Sequence, residues 1–282
     1  MTGTGTQADP YVVSTWDEII EKIAEKNAYV KCAPGLVFDM NEMFPEEAPG
    51  LTFHCLEFDG NGIRIENGRY NGNVISLGSN TVSQTIKNIN INDFLIQGEG
   101  HLIYSYYSSH KFYDCVFSGQ LTGYFSTLRY SGVICIGANS LYSSLQHDYY
   151  RCGFNIKTQG RYFCTGRATN WWTFMYFHDC HIVVSCDHLS ATDCYGSFRM
   201  QNSLLQGDLG SQAYICDSHD SIIDADCESI VYSSYDTYSH VIYNSERARL
   251  TNVPSEIFTP MTSAELRDAS AIAATGFPIG VK

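Results

Sequence analysis

Basic residues are scarce in this chain: across 282 residues, 17 lysines and arginines stand against 30 acids, a formal net charge of -13. Binding a phosphate backbone takes clustered cations, and these are few and scattered, so no nucleic-acid partner is expected. Long apolar runs are missing as well. No stretch approaches the roughly 18 apolar residues that span a bilayer, so no membrane segment is predicted. The opening Met1 to Pro10 lacks the basic-then-apolar pattern of a signal peptide, and the expectation is a soluble chain made in a cytoplasm. The 44% hydrophobic content excludes a disordered chain.

The motifs of several chemistries are also missing. There is no Gly-x-Ser-x-Gly elbow and no Gly-x-x-x-x-Gly-Lys loop, and Gly60-Asn-Gly62 is not followed by the helix a dinucleotide fingerprint needs. Eleven cysteines are present, an odd number without a Cys-x-x-Cys pair, and most sit in apolar runs such as Val-Ile-Cys135-Ile and Tyr-Ile-Cys216. They read as small buried hydrophobes, not as a disulfide framework. Cys180, His181, Cys186 and His188 cluster without the spacing of a zinc loop, and the nine histidines are dispersed and read as corner or surface residues. No metal and no cofactor is expected.

What is present is a degenerate repeat. A β-rich run, an Asn or Asp, a small or apolar residue and a second β-rich run recur as Ile86-Lys-Asn88-Ile89-Asn-Ile91, Phe112-Tyr-Asp114-Cys115-Val-Phe117 and Phe177-His-Asp179-Cys180-His-Ile182. Further copies end on Asn202-Ser203, Asp226-Cys227 and Asn252-Val253, and Tyr149-Tyr-Arg151-Cys152-Gly-Phe154 carries Arg in the polar position. Positions 89, 115, 152, 180, 203, 227 and 253 lie 26, 37, 28, 23, 24 and 26 residues apart. The long interval predicts an insertion near Ala138 to Ser144. Asn and Asp tolerate left-handed backbone angles, which suits a corner, and the residues after them would form an inward ladder. This period predicts an all-β, single-stranded right-handed parallel β-helix solenoid of about eight coils. A β-sandwich competes, but it calls for turn signals every 8 to 12 residues, which are weak here.

Both ends read as caps. Thr15 and Glu18 form a capping box ahead of Trp16, Ile19, Ile20 and Ile23, one face of a helix that would plug the solenoid end between the strands Tyr11–Val13 and Ala28–Cys32. Thr262 and Glu265 repeat the pattern before a short helix stopped by Gly276 and Pro278. The predicted organisation is 1–50 as first strand and cap helix, 51–258 as repeats, and 259–282 as C-terminal helix and tail.

An enzyme on such a scaffold needs converging carboxylates. Asp217, His219 and Asp220, with Asp193 one repeat earlier, are the best candidates, yet no glycosidase or lyase pattern surrounds them and corner aspartates are expected regardless. Tyrosine is the larger excess, with 20 residues, many in Ser-rich segments: Tyr104, Tyr106 and Tyr107, then Tyr232, Tyr235 and Tyr238. Tyr/Ser loops give rigid amphipathic contact surface and predict binding, although Tyr equally suits half-buried strands. Adjacent Trp171 and Trp172 would point to opposite faces of a strand.

The opening Gly3-Thr-Gly5-Thr-Gln-Ala-Asp9-Pro10-Tyr11-Val-Val13 resembles the first turn of bacterial and phage pectate-lyase-like β-helix proteins. The closing Met261-Thr-Ser-Ala-Glu265-Leu266 to Gly276-Phe277-Pro278-Ile279 looks like the ending of β-helix proteins encoded by phages and prophages of gut Gram-positive bacteria. The two cover about a sixth of the chain and transfer no catalytic residue. The resemblance implies a non-enzymatic virion surface protein, a head decoration, head fibre or tail-associated adhesin, made in the host cytoplasm. Its expected partners are copies of itself, with a trimer favoured, other virion proteins docked through Leu266, Phe277, Pro278 and Ile279, and a bacterial surface glycan. The alternative is a polysaccharide depolymerase.

Overall fold

The computed structural model describes residues 1–78, 83–106, 108–123, 132–137, 145–159, 162–166, 173–190, 196–210, 213–231, 238–244, 246–251 and 258–260. The chain is β-rich and its strands pair in parallel, with one isolated antiparallel bridge between Thr2 and Val12 among the described residues. The first cap forms as the sequence predicts. Helix Trp16–Ile23 starts at Thr15, whose side chain accepts from the Glu18 amide, while the Glu18 carboxylate accepts from the Ser14 amide at 2.7 Å. Trp16, Ile19 and Ile23 are buried, Trp16 edge-on against Phe38 at 5.4 Å. The Ile23 carbonyl, orphaned at the helix end, accepts from the amides of His54 and Cys55. A second helix, Met40–Met43, was not legible; Asp39 starts it by accepting from the amides of Asn41 and Glu42.

The expectation of an open right-handed β-helix is corrected. The main sheet closes on itself as a ten-strand parallel β-barrel. From Gln84–Ile96 the hydrogen bonding runs through His110–Tyr113, Leu145–Tyr150, Thr173–His178 and Gly196–Gln201 to Ala213–Val231. It returns through Leu204–Asp208, His181–Ser185, Gly153–Thr158 and Val116–Leu121 to Gln84–Ile96. Two long strands, of 13 and 19 residues, make the closure, because each pairs with both rows. Asn88 and Asp93 in the first, and Asp217 and Asp220 in the second, take positive φ, so the backbone turns a corner without leaving the sheet. A sequence pattern marks such corners but reads each as the end of a strand. A separate six-stranded parallel sheet runs from Leu51–Phe53 through Ile75–Leu77, Ile103–Tyr106, Gly132–Gly137 and Tyr162–Gly166 to His188–Ser190.

The repeat phrase sets the register of these rows. Asn88, Asp114, Arg151, Asp179 and Asn202 all have φ between 50° and 55°. The residues after them form a buried ladder in which the amides of Cys152, Cys180 and Ser203 each meet the next side chain. The Cys152 amide donates to Cys180 Sγ at 3.4 Å, Cys180 to Ser203 Oγ at 3.0 Å, and Ser203 to Ser221 Oγ at 3.3 Å. The side chains themselves donate to carbonyls, Cys180 to Tyr149 and His178 and Ser203 to Phe177 and Gln201. The rung after Ser203 is thus Ser221, 18 residues on, not Cys227. Behind the ladder the rings of Phe112, Tyr149 and Phe177 stack at 4.9 and 4.9 Å, and Phe198 follows at 4.7 Å, tilted by 32°. Phe163 of the second sheet meets Phe154 edge-on at 5.7 Å and joins the two sheets into one core.

All ten described cysteines are buried, as expected from their apolar surroundings. The histidines depart from expectation. His110 and His147 are fully buried, packed edge to face at 5.1 Å. Burial drives the His110 ring down to about 3 and holds His147 well below the ordinary imidazole value.

The predicted insertion at Ala138 to Ser144, Trp171 and Trp172, Asn252-Val253 and the C-terminal helix with Leu266, Phe277, Pro278 and Ile279 lie outside the described residues.

Candidate functional site

Strand alternation divides each repeat between core and surface. In His110–Tyr113 the side chains of His110 and Phe112 go inward, so Lys111 and Tyr113 go outward. Parallel register then aligns outward residues across strands. One row reads Thr85, Lys111, Asp148, Tyr176, Arg199, and the next reads Lys87, Tyr113, Tyr150, His178, Gln201.

The second row builds an aromatic stack. Tyr113 lies on Tyr150 at 4.8 Å and 9°, and Tyr150 lies on His178 at 4.7 Å and 10°. Partial burial raises the Tyr150 phenol above its ordinary value, helped by Asp148 nearby. Asp148 is buried beside the stack, accepting from Gln146 Nε2 at 2.6 Å with His178 Nε2 3.8 Å away. At the far end Arg199 lies 4.2 Å over Phe174 and 4.9 Å over Tyr176, hydrogen-bonds the Tyr176 hydroxyl and pairs with Asp217.

The near end opens into a groove of about 430 Å³ lined by Glu57, Thr85, Lys87, Lys111, Tyr113, Asp114 and Arg151. Most of its charges are neutralised locally. Lys87 pairs with Glu57 at 2.8 Å, and Arg151 holds Asp114 through two bonds of 2.7 Å, which raises the guanidinium further above its ordinary value. Among the described residues Lys111, which is exposed, has no partner, and the Tyr113 ring, stacked on Tyr150 alone, borders the same space.

The carboxylate candidates take other positions. Asp217 and Asp220 occupy corners at φ 30° and 46°, Asp217 is committed to Arg199, and His219 pairs in register with Gln201. Asp193 lies outside the described residues. Of the tyrosines, Tyr104 is half-buried and stacked on His101 at 5.4 Å, and Tyr106 and Tyr238 lie in strands Ile103–Tyr106 and Tyr238–Tyr243. Tyr107, Tyr232 and Tyr235 lie outside the described residues. The reading of Tyr-rich loops missed Tyr113 and Tyr150, although the repeat itself held the signal: aligning Phe112-Tyr113-Asp114, Tyr149-Tyr150-Arg151 and Phe177-His178-Asp179 puts the stacked rings in one column.

No protein-family model matches this chain, and no curated protein matches it.

Proposed function

We propose that the protein is a non-enzymatic, glycan-binding surface protein whose binding face is the outward strip from the groove at Tyr113 to Arg199. The observation that carries this reading is the strip itself: half-exposed rings of Tyr113, Tyr150 and His178 alongside Lys111, Asp148, Tyr176 and Arg199, held in strand register. Pyranose rings pack apolar faces on aromatic groups and hydrogen-bond through their hydroxyls, so a fixed aromatic and polar strip suits them. Strand anchoring lowers the cost of ordering these side chains on binding. The commitment of Asp217 to Arg199 and the corner geometry of Asp220 favour structural roles for those acids over catalysis.

The placement on a phage particle, as a head decoration, head fibre or tail-associated adhesin, rests on the resemblance of the two chain ends, and the same resemblance favours a trimer. A glycan array probed with the purified protein tests the binding reading, with signal lost in Tyr113→Ala. Release of reducing ends from a bound glycan would replace it with the depolymerase reading. Virion proteomics with a solution mass tests the placement, which falls if the chain is absent from particles and monomeric.

A further inference from the structure

We infer that the groove at Tyr113 selects anionic saccharides, with Lys111 supplying the counter-charge and the Tyr113 ring the packing surface. The inference rests on the glycan-binding reading and names the ligand class for that face. The groove is lined by three cations, Lys87, Lys111 and Arg151, against two carboxylates, Glu57 and Asp114, in a chain of net charge -13. Each carboxylate is already matched, Glu57 by Lys87 and Asp114 by both bonds of Arg151. Among the residues that line the groove the surplus charge is therefore that of Lys111, two positions from Tyr113 on the same strand face; its cross-strand neighbour Asp148, outside the groove lining, accepts instead from Gln146 Nε2 at 2.6 Å.

A general acidic surface repels anions, so a cationic opening beside an unstacked ring face discriminates where the rest of the protein does not. A sugar lying on Tyr113 would place an equatorial carboxylate, sulfate or phosphate within reach of the flexible lysine. The ammonium donates up to three charge-assisted hydrogen bonds, stronger than those to neutral hydroxyls. Neutral glycans lose that contact and leave Lys111 to water, which costs little. The selectivity expected from one such contact is about tenfold or more in affinity.

The test is an array of acidic bacterial capsular oligosaccharides printed beside the same oligosaccharides after carboxyl reduction, probed with the full chain. Binding confined to the acidic members, lost with Lys111→Ala and kept with Lys111→Arg, is the expected result. Equal binding to reduced and acidic members overturns the inference and leaves the glycan-binding reading standing. Undiminished acid selectivity in Lys111→Ala overturns the role of that residue, and binding to neither set overturns both readings. Lys111 is exposed and makes no contact that folding needs, so circular dichroism of its variants is expected to match the parent.

Discussion

Arg151 grips Asp114 through two parallel hydrogen bonds, Nε to Oδ1 and Nη2 to Oδ2, each 2.7 Å, across 37 residues of chain. The pair ties together the two strands that flank the longest interval of the repeat. It also explains the odd copy of the phrase, in which a bulky cation occupies a left-handed corner that the other copies give to Asn or Asp.

Arg151→Asn is expected to change unfolding free energy by less than about 0.5 kcal/mol in urea titration. The pair is nearly half exposed, at 45% and 43%, and such pairs are worth about 1 kcal/mol at most. Asn relieves a left-handed strain of about 1 kcal/mol, so the terms offset. Arg151→Asp sets like charges together and is expected to cost more than Arg151→Asn. Equal losses in the two variants would sink this account.

In the buried ladder, Ser203→Ala is expected to destabilise by about 1–3 kcal/mol, because the Cys180 amide loses its acceptor at 3.0 Å. Cys180→Ser keeps an acceptor for the Cys152 amide and is expected to cost less than Cys180→Val, which removes it. Chemical denaturation of the three variants checks the order.

The stack of core rings predicts the largest single loss. Phe177 is fully buried between Tyr149 and Phe198, so Phe177→Ala is expected to cost about 3–5 kcal/mol, while Tyr150→Ala, half exposed on the outer row, is expected to cost less. A thermal unfolding series that ranks Tyr150→Ala first would contradict the assignment of inner and outer rows.

Stability is expected to fall with acid through His110 and His147. Both rings are neutral when folded, with their pKa values depressed by burial, and protonate near the ordinary imidazole value when unfolded. The unfolded chain therefore binds more protons as pH drops below about 6.5, and native stability declines toward the folded value of about 3 for His110. The slope is about 1.4 kcal/mol per pH unit for each proton taken up. His110→Phe is expected to flatten the decline between pH 6 and 4, and an unchanged slope would assign the acid sensitivity elsewhere.

Much of the local structure was legible in residue order. The Asn or Asp ahead of the ladder residue marked corners at 88, 114, 179 and 202, because short polar side chains tolerate the left-handed backbone and the residue after it must turn inward, and alignment with these copies marked the corner at Arg151. The capping box at Thr15 and Glu18 was equally readable, since it depends on four consecutive residues. The rung at Ser221 was not, because its repeat is 18 residues long and a search for two dozen passes over it to Cys227. The candidate site was half visible: the phrase aligns Tyr113, Tyr150 and His178, but Lys87, Lys111 and Glu57 carry no motif and meet only once the strands are in register.

The sequence by itself determined that this is a β-rich chain with a recurring strand-and-corner phrase, which residues turn its corners, and that its described cysteines are buried, since these follow from local backbone preference and apolar periodicity. The tertiary structure decided that the main sheet closes into a barrel in place of an open solenoid, that His110 and His147 enter the core, and that Lys111, without a partner among the described residues, stands beside the Tyr113 ring. Those outcomes depend on which strand pairs with which across 20 to 40 residues, and hydrogen-bond pairing at that range is chosen by the packed whole and not by any segment read alone.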